Sequence, residues 1–277
     1  MTIKIVTDST ADLPSSVIDE LGITVVPLYV CFGEDIYRDR SEISEDSFYE
    51  RLLQDTKHPT TTQPTPQDFV EVYRQLSVEA DGIISIHISE KLSGTCNSAL
   101  QAKKLVGNEC PIEVVDSKMT SMALGLIVEA AANIAKHGND FNQMVTDIKQ
   151  SISNVQLLVL FDTLKYLAKG GRIGKAKFLL GSVLNVKPLL TIKEGEFVPV
   201  RQARSRSKGI ENLLDFAINT DNVKEFIIIH STTPDEAELL AQRVRTSCPT
   251  SRVRIARLGP VLGVHGGPGV LAIALHV

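Results

Sequence analysis

The sequence predicts an α/β protein of two domains, a parallel α/β sheet domain over residues 1–155 and a mixed α/β domain with antiparallel strands over residues 156–277. Three observations predict it. Short β-branched runs alternate with amphipathic helical segments through the first half, the pattern of a parallel sheet covered on both faces. Near residue 155 the style changes, and residues 187–192 and 196–200 flank Lys193-Glu194-Gly195 as a β-hairpin. The length of 277 residues suffices for two modest domains.

Residues 3–6 read as a first strand, followed by a polar turn carrying Asp8, Ser9, Thr10 and Asp12. A short helix, 14–21, is stopped by Gly22. Residues 23–32 are mostly apolar and β-branched and predict one buried strand. A helix is expected over 44–54, and Thr60-Thr61-Thr62-Gln63-Pro64 reads as a loop. It leads to Thr65-Pro66, an N-cap with proline at the first helical position, and Phe69, Val72, Tyr73 and Leu76 mark one helical face. Residues 82–88 predict a strand, Ser93-Gly94-Thr95 opens a helix to about 106, and 112–115 form a strand ending at Asp116-Ser117. A long apolar helix over 120–136 closes at Gly138, and another starts near Asp140.

In the second half, 157–161 predict a strand and then a helix broken at Gly170-Gly171. Helices are expected over 207–218 and 233–246, the latter opened by the capping box Thr233-Pro234-Asp235-Glu236. Strands are expected over 226–230 and 252–258. The chain then runs through a glycine-rich loop around His265 into a last strand, 270–276. In a parallel sheet, ligands sit beyond the carboxyl ends of the strands. The turns bearing Asp8-Ser9, Ser93-Gly94-Thr95 and Asp116-Ser117 should therefore converge on one rim.

Composition narrows the function. Apolar residues make up 43%, aromatics only 5%, and Trp is absent, so the interior is aliphatic. Such an interior suits alkyl chains, and it is also the ordinary filling of an α/β core. The net charge of −4 argues against nucleic-acid and membrane-surface binding. Between Lys165 and Lys208, eleven Lys or Arg face only Glu194 and Glu196, which reads as a solvated face or a docking surface for an acidic partner. Cys31, Cys96, Cys110 and Cys248 form no C-x-x-C pair, so neither a zinc site nor a disulfide framework is expected. The N-terminus lacks signal-peptide character, and no apolar run approaches the roughly 18 residues of a membrane helix. The expected location is the cytoplasm, with no stable membrane insertion.

No G-x-S-x-G, H-E-x-x-H or P-loop is present. Gly267-Pro268-Gly269-Val270-Leu271-Ala272 matches a dinucleotide fingerprint by letters but opens a strand, not a helix. Ser205-Arg206-Ser207-Lys208 matches S-x-x-K inside a basic stretch. Ser93-Gly94-Thr95 is more informative. A serine there is either a plain helix cap or part of an anion site made by free amides and the helix dipole. The threonines at 60–62 are hydroxyl donors or turn residues. His265 lies among four glycines and a proline, a backbone built for a tight turn or for close approach to something.

Together, Thr7-Asp8-Ser9-Thr10-Ala11-Asp12-Leu13, Thr61-Thr62-Gln63-Pro64, Leu92-Ser93-Gly94-Thr95, Asp116-Ser117, Gly170-Gly171-Arg172-Ile173 and His265-Gly266-Gly267-Pro268-Gly269 resemble the DegV family. The resemblance keeps the order of all six motifs from the first strand to the last. It implies a fatty acid held between the two domains. It implies that Thr61 and Ser93 hold the carboxylate, with Thr62 and the backbone of Gly94 as neighbours and His265 near the head group. It also implies a separate ATP-using fatty-acid kinase subunit as partner. Arg172 would then lie on the partner's rim, and Arg204, Arg206 and Lys208 match the family's basic pattern.

The expected function is binding of a long-chain fatty acid of palmitate class, presented for acyl-phosphate formation in lipid metabolism, with no cofactor or metal. The alternative is an acyl transferase or hydrolase using Ser93 and His265.

Overall fold

The computed structural model describes residues 1–107, 110–138, 140–180 and 186–277. The chain opens with β1 (Ile3–Asp8), α1 (Ser15–Leu21) and β2 (Thr24–Val26), then β3 (Tyr29–Phe32), β4 (Asp35–Arg38), α2 (Glu45–Gln54) and β5 (Thr60–Thr62). Next come α3 (Pro66–Ser77), β6 (Gly82–His87), α4 (Thr95–Val106), β7 (Ile112–Asp116), α5 (Ser121–Ala135) and α6 (Phe141–Ser151). The second half runs through β8 (Val155–Leu160), α7 (Lys165–Lys169), β9 (Lys187–Lys193), β10 (Glu196–Ala203) and α8 (Arg206–Ile218). It ends with β11 (Glu225–His230), α9 (Pro234–Ser247), β12 (Arg252–Arg257), α10 (Pro260–Gly266) and β13 (Leu271–His276).

Strands β2-β1-β6-β7 form a parallel sheet, as the alternating pattern predicts. The second sheet, β10-β9-β8-β13-β11-β12, is antiparallel except for β11 with β12. A small antiparallel sheet, β4-β3-β5, stands beside them. Helix α5 is apolar nearly all round, with Met122 to Val128 buried, and it packs against β1 on one side and β8 and β13 on the other. A helix without a polar face belongs inside. It makes one continuous core of Ile5 and Ile86 from the first sheet and Val159 and Ile229 from the second.

Local signals explain several elements. The Thr65 hydroxyl accepts from Asp68 N, and the Asp68 carboxylate accepts from Thr65 N, closing the capping box that starts α3. Buried Asp8 accepts from Ile88 N at 3.0 Å and meets His87 Nδ1 at 2.9 Å, while His87 Nε2 reaches Ser85 Oγ and Tyr73 donates to Ser85. This fully bonded chain fixes the carboxyl ends of β1 and β6 at one rim.

Four expectations are corrected. Residues 23–32 are two strands in different sheets, because Pro27 has no N–H to continue a ladder and Leu28 N donates to Ser9 Oγ instead. Residues 60–62 are a strand paired with β3, which suits three β-branched residues. The segment before the last strand is not a glycine-rich loop but helix α10, with Gly259 as N-cap and Pro260 at its first position. The capping box at Thr233 does not form, because Glu236 binds Arg206.

Candidate ligand-binding cavity

A cavity of about 550 Å³ lies between the carboxyl rim of the parallel sheet and the inner face of the second sheet. That volume falls in the usual range of small-molecule sites. Its inner walls are aliphatic and aromatic, including Ile88, Leu92, Leu157, Val159, Phe161 and Ile229. Most of its polar groups gather where β5, the start of α4 and the end of α10 meet, and Thr120 and Ser121 add two at the start of α5.

Strand alternation turns Thr61 toward α10, where its Oγ1 lies 2.9 Å from His265 Nε2. His265 Nδ1 is buried without a partner and packs against Gly170. Burial first, then the nearby Arg172 and His58, lower the His265 pKa to about 4, so the ring is neutral at physiological pH. A buried N–H left unbonded costs more than a buried lone pair. The proton therefore sits on Nε2 and is donated to Thr61 Oγ1, which leaves the Thr61 hydroxyl hydrogen free for a ligand.

Across the opening, Ser93 Oγ lies 2.8 Å from Thr95 Oγ1. The helix begins one residue later than expected: Gly94 is the N-cap of α4, and Ser93 Oγ accepts from Thr95 N at 3.4 Å, a long bond at the first residue of the helix. A Cβ on Gly94 would come within 2.2 Å of the Gln63 side-chain amide, which packs over this turn and would have to swing aside. Gln63 in turn donates to Ser98 Oγ. Hydroxyls backed by neighbours and the first-turn amides of α4 form a group of donors suited to a carboxylate, while the neutral imidazole orients the Thr61 hydroxyl.

Arg172 also lines the cavity. Its Nε donates to Leu92 O at 3.1 Å and its Nη1 to Gly170 O at 2.6 Å, tying the loop before Ser93 to the turn against His265. It supplies a positive charge at the opening. Thr62 borders the cavity too, but is exposed and donates to Gln63 O. The remaining basic residues lie apart. Arg206 turns inward, bound to Glu236 and to Gly269 O, while Arg204 and Lys208 are exposed. Among the described residues, Ser93 and His265 share no hydrogen bond, since His265 binds Thr61 and Ser93 binds Thr95. The nucleophile–base pair that acyl transfer by Ser93 needs is not assembled.

Comparison with known proteins agrees with this architecture. The DegV family model, described as an uncharacterised protein of the DegV family, matches residues 2–277. The chain belongs to the DegV family. A DegV domain-containing protein of Streptomyces coelicolor is 38% identical over 277 residues, covering 99% of this chain and 98% of the relative. A DegV family protein from Thermus thermophilus, whose structure concerns fatty acid binding, is 35% identical with a TM-score of 0.93 and covers 100% of this chain and 99% of its own. DegV of Bacillus subtilis, described as a fatty acid binding protein, is 32% identical with a TM-score of 0.92, again covering 100% and 99%. The two-sheet α/β arrangement is thus the DegV fold. No helix among the described residues is long and apolar enough to cross a membrane.

Sequence reasoning missed the groups that hold α10. Asp12 Oδ1 accepts from Gly259 N at 3.0 Å, and Asp39 Oδ1 accepts from Val261 N at 3.3 Å. Two buried carboxylates thus hold the start of the DegV helix that carries His265. Burial raises Asp12 to about 6 against the opposing Arg40 charge, and raises Asp39 to about 7 against hydrogen bonds from Ser9 and Val261. The one early signal was Pro260, a proline placed to open a helix.

The raised Asp39 value gives a pH prediction. Between the ordinary 3.8 and about 7, the native protein keeps a proton at Asp39 that the unfolded chain has released. This group's contribution to stability is therefore lost as pH rises through that window. His265, with its lowered value, works in the opposite sense between about 4 and 6.5. Asp39→Asn removes only the first effect and keeps an acceptor for Val261 N. Its stability relative to wild type is expected to climb between pH 5 and pH 8, by on the order of 2 kcal/mol. Paired thermal melts check this, and a pH-independent difference would show that Asp39 is ionised throughout.

Proposed function

We propose that the protein binds a long-chain fatty acid of palmitate class, with its carboxylate at Thr61, Ser93, the Gly94 amide region, Arg172 and His265. The observation that carries this reading is the cavity itself: polar donors grouped at one end and an apolar interior behind them. The fatty acid binding described for the relatives from Thermus thermophilus and Bacillus subtilis supports it. Neutral hydroxyls and amides with one cation hold the acid without a buried ion pair. The alkyl chain supplies most of the affinity, at about 0.8 kcal/mol per buried methylene.

Calorimetry on delipidated protein with saturated acids of increasing length tests the assignment. Affinity is expected to rise about fourfold per added methylene until the cavity is full, then level off. Affinity independent of chain length would remove the alkyl chain from the site.

The same reading includes a separate ATP-using kinase subunit that phosphorylates the presented carboxylate. Exposed Arg204 and Lys208 offer a basic face to such a partner. Their joint replacement by Ala is expected to leave fatty-acid affinity unchanged and to slow acyl-phosphate formation, most clearly at low salt. Undiminished turnover would return both residues to plain solvated surface. Arg172, with its side chain at the opening, is expected to affect binding as well as partner docking.

A further inference from the structure

The start of α5 carries polar capacity that neither the fold nor the head-group site uses. Thr120 is its N-cap, yet the side chain makes no capping bond. Its hydroxyl is buried and has no partner, and the residue is only 5% exposed while lining the cavity. A threonine at this position ordinarily satisfies the first-turn amides of its helix. Here both the hydroxyl and that turn remain uncapped, in a cavity whose lining also includes Ile88, Leu157 and Ala272. A buried hydroxyl without a partner carries a desolvation penalty that a ligand atom can relieve.

Hydrogen bonds tie this polar point to the end of α10 that does not carry the head-group residues. Ser121 donates to Asp12 Oδ2 at 2.6 Å, and Asp12 Oδ1 accepts from Gly259 N at the beginning of α10. His265 and Thr61 mark the opposite end of α10. Six residues of helix separate the two ends by about 9 Å. The uncapped turn is thus tied to the far end of α10 from His265 and Thr61, and in the fatty-acid reading it lies along the chain of a bound acid.

The geometry points to a second polar station in the cavity, at Thr120 and the first turn of α5, that recognises a hydroxyl group carried part-way along the acyl chain. The inference rests on the fatty-acid reading above and narrows it to hydroxy-substituted long-chain acids. A hydroxyl fits better than its rivals. It can accept from a first-turn amide and exchange a second hydrogen bond with Thr120, whereas a keto oxygen can only accept. A second carboxylate would lie close to the Asp12 side chain that already holds Ser121.

The test uses the delipidated full chain, stearic acid and a set of monohydroxystearic acids with the hydroxyl at successive positions. A narrow window of mid-chain isomers is expected to bind at least as tightly as stearic acid, and isomers outside it about tenfold more weakly or worse. Thr120→Val, which keeps the side-chain shape, should weaken the favoured isomer about tenfold and leave stearic acid within about twofold. Thr120→Ser should keep the preference. If stearic acid binds but every isomer is weaker by a similar factor, or if Thr120→Val lowers both ligands equally, the second station is overturned and the fatty-acid site stands. If neither stearic acid nor any isomer binds, the fatty-acid reading falls, and the station with it.

Discussion

Thr61→Val is expected to weaken long-chain fatty-acid binding by about tenfold to a hundredfold, and Ser93→Ala by a similar factor. Each change removes a hydroxyl that hydrogen-bonds a charged group, on the order of 1.5–3 kcal/mol. Thr61→Val also strips His265 Nε2 of its 2.9 Å partner, leaving a buried N–H unsatisfied beside an already unpartnered Nδ1. Its loss should therefore be the larger. Ser93→Ala loses only a long 3.4 Å bond from Thr95 N and should melt close to wild type without ligand, whereas the unsatisfied His265 N–H should lower the melting temperature of ligand-free Thr61→Val by a few degrees. Isothermal titration with palmitate reads the affinities. Wild-type affinity in both mutants would put the carboxylate elsewhere. A large fall in stability of Ser93→Ala without ligand would instead return Ser93 to the role of a structural cap.

The second large effect is expected from a residue that touches no ligand. Gly170 follows α7, and a Cβ there would lie 2.0 Å from His265 Nδ1 and 2.8 Å from its Cε1. The ring cannot yield freely, because Thr61 holds its far side and α10 is held at its start by Asp12 and Asp39. Gly170 O also receives Arg172 Nη1. Gly170→Ala should therefore push both His265 and Arg172 from their positions and lower affinity by more than tenfold. Overpacking of this kind costs about 1–3 kcal/mol in stability, too little to unfold a well-packed chain. Far-UV circular dichroism with titration of the mutant checks both halves. Unchanged affinity would mean that His265 can move without consequence for the ligand.

How much of this was legible in the sequence depends on the range over which each feature is determined. Helix α3 could be read to its first residue, because Thr65, Pro66 and Asp68 satisfy one another within a single turn. The parallel sheet followed from alternating patterns for the same reason. Helix α10 could not be read, since Gly263 and Gly266 lower its intrinsic propensity. It forms because Asp12 and Asp39, more than 200 residues earlier, hold its first amides. The three threonines at 60–62 carried a strand signal in their β-branching, but their partner β3 lies thirty residues away, and without it they read as a loop. Similarly, Glu236 was available to cap α9 by sequence and is claimed in space by Arg206.

The site divides the same way. Thr61, Thr62, Ser93, Gly94 and His265 were named from motifs, and the fold brings all but Gly94 to the lining of one cavity. Their division of labour was not legible. That His265 serves Thr61 rather than Ser93 is a matter of which face of β5 meets α10, and it separates a binding site from a nucleophile with its base. Arg172 was placed on the partner's rim by the resemblance. It is exposed, and it also bridges Leu92 O and Gly170 O at the cavity opening, the first far away in the sequence and the second in a turn the motif does not specify.

The central claim is that the apolar cavity holds a fatty acid. Mass spectrometry of an organic extract from the purified, unheated protein tests it most directly. The account predicts one or a few long-chain fatty acids in near-stoichiometric amount, lost from the extract when Thr61 and Ser93 are both replaced. An extract without fatty acid, from protein that also fails to bind palmitate after delipidation, would contradict it.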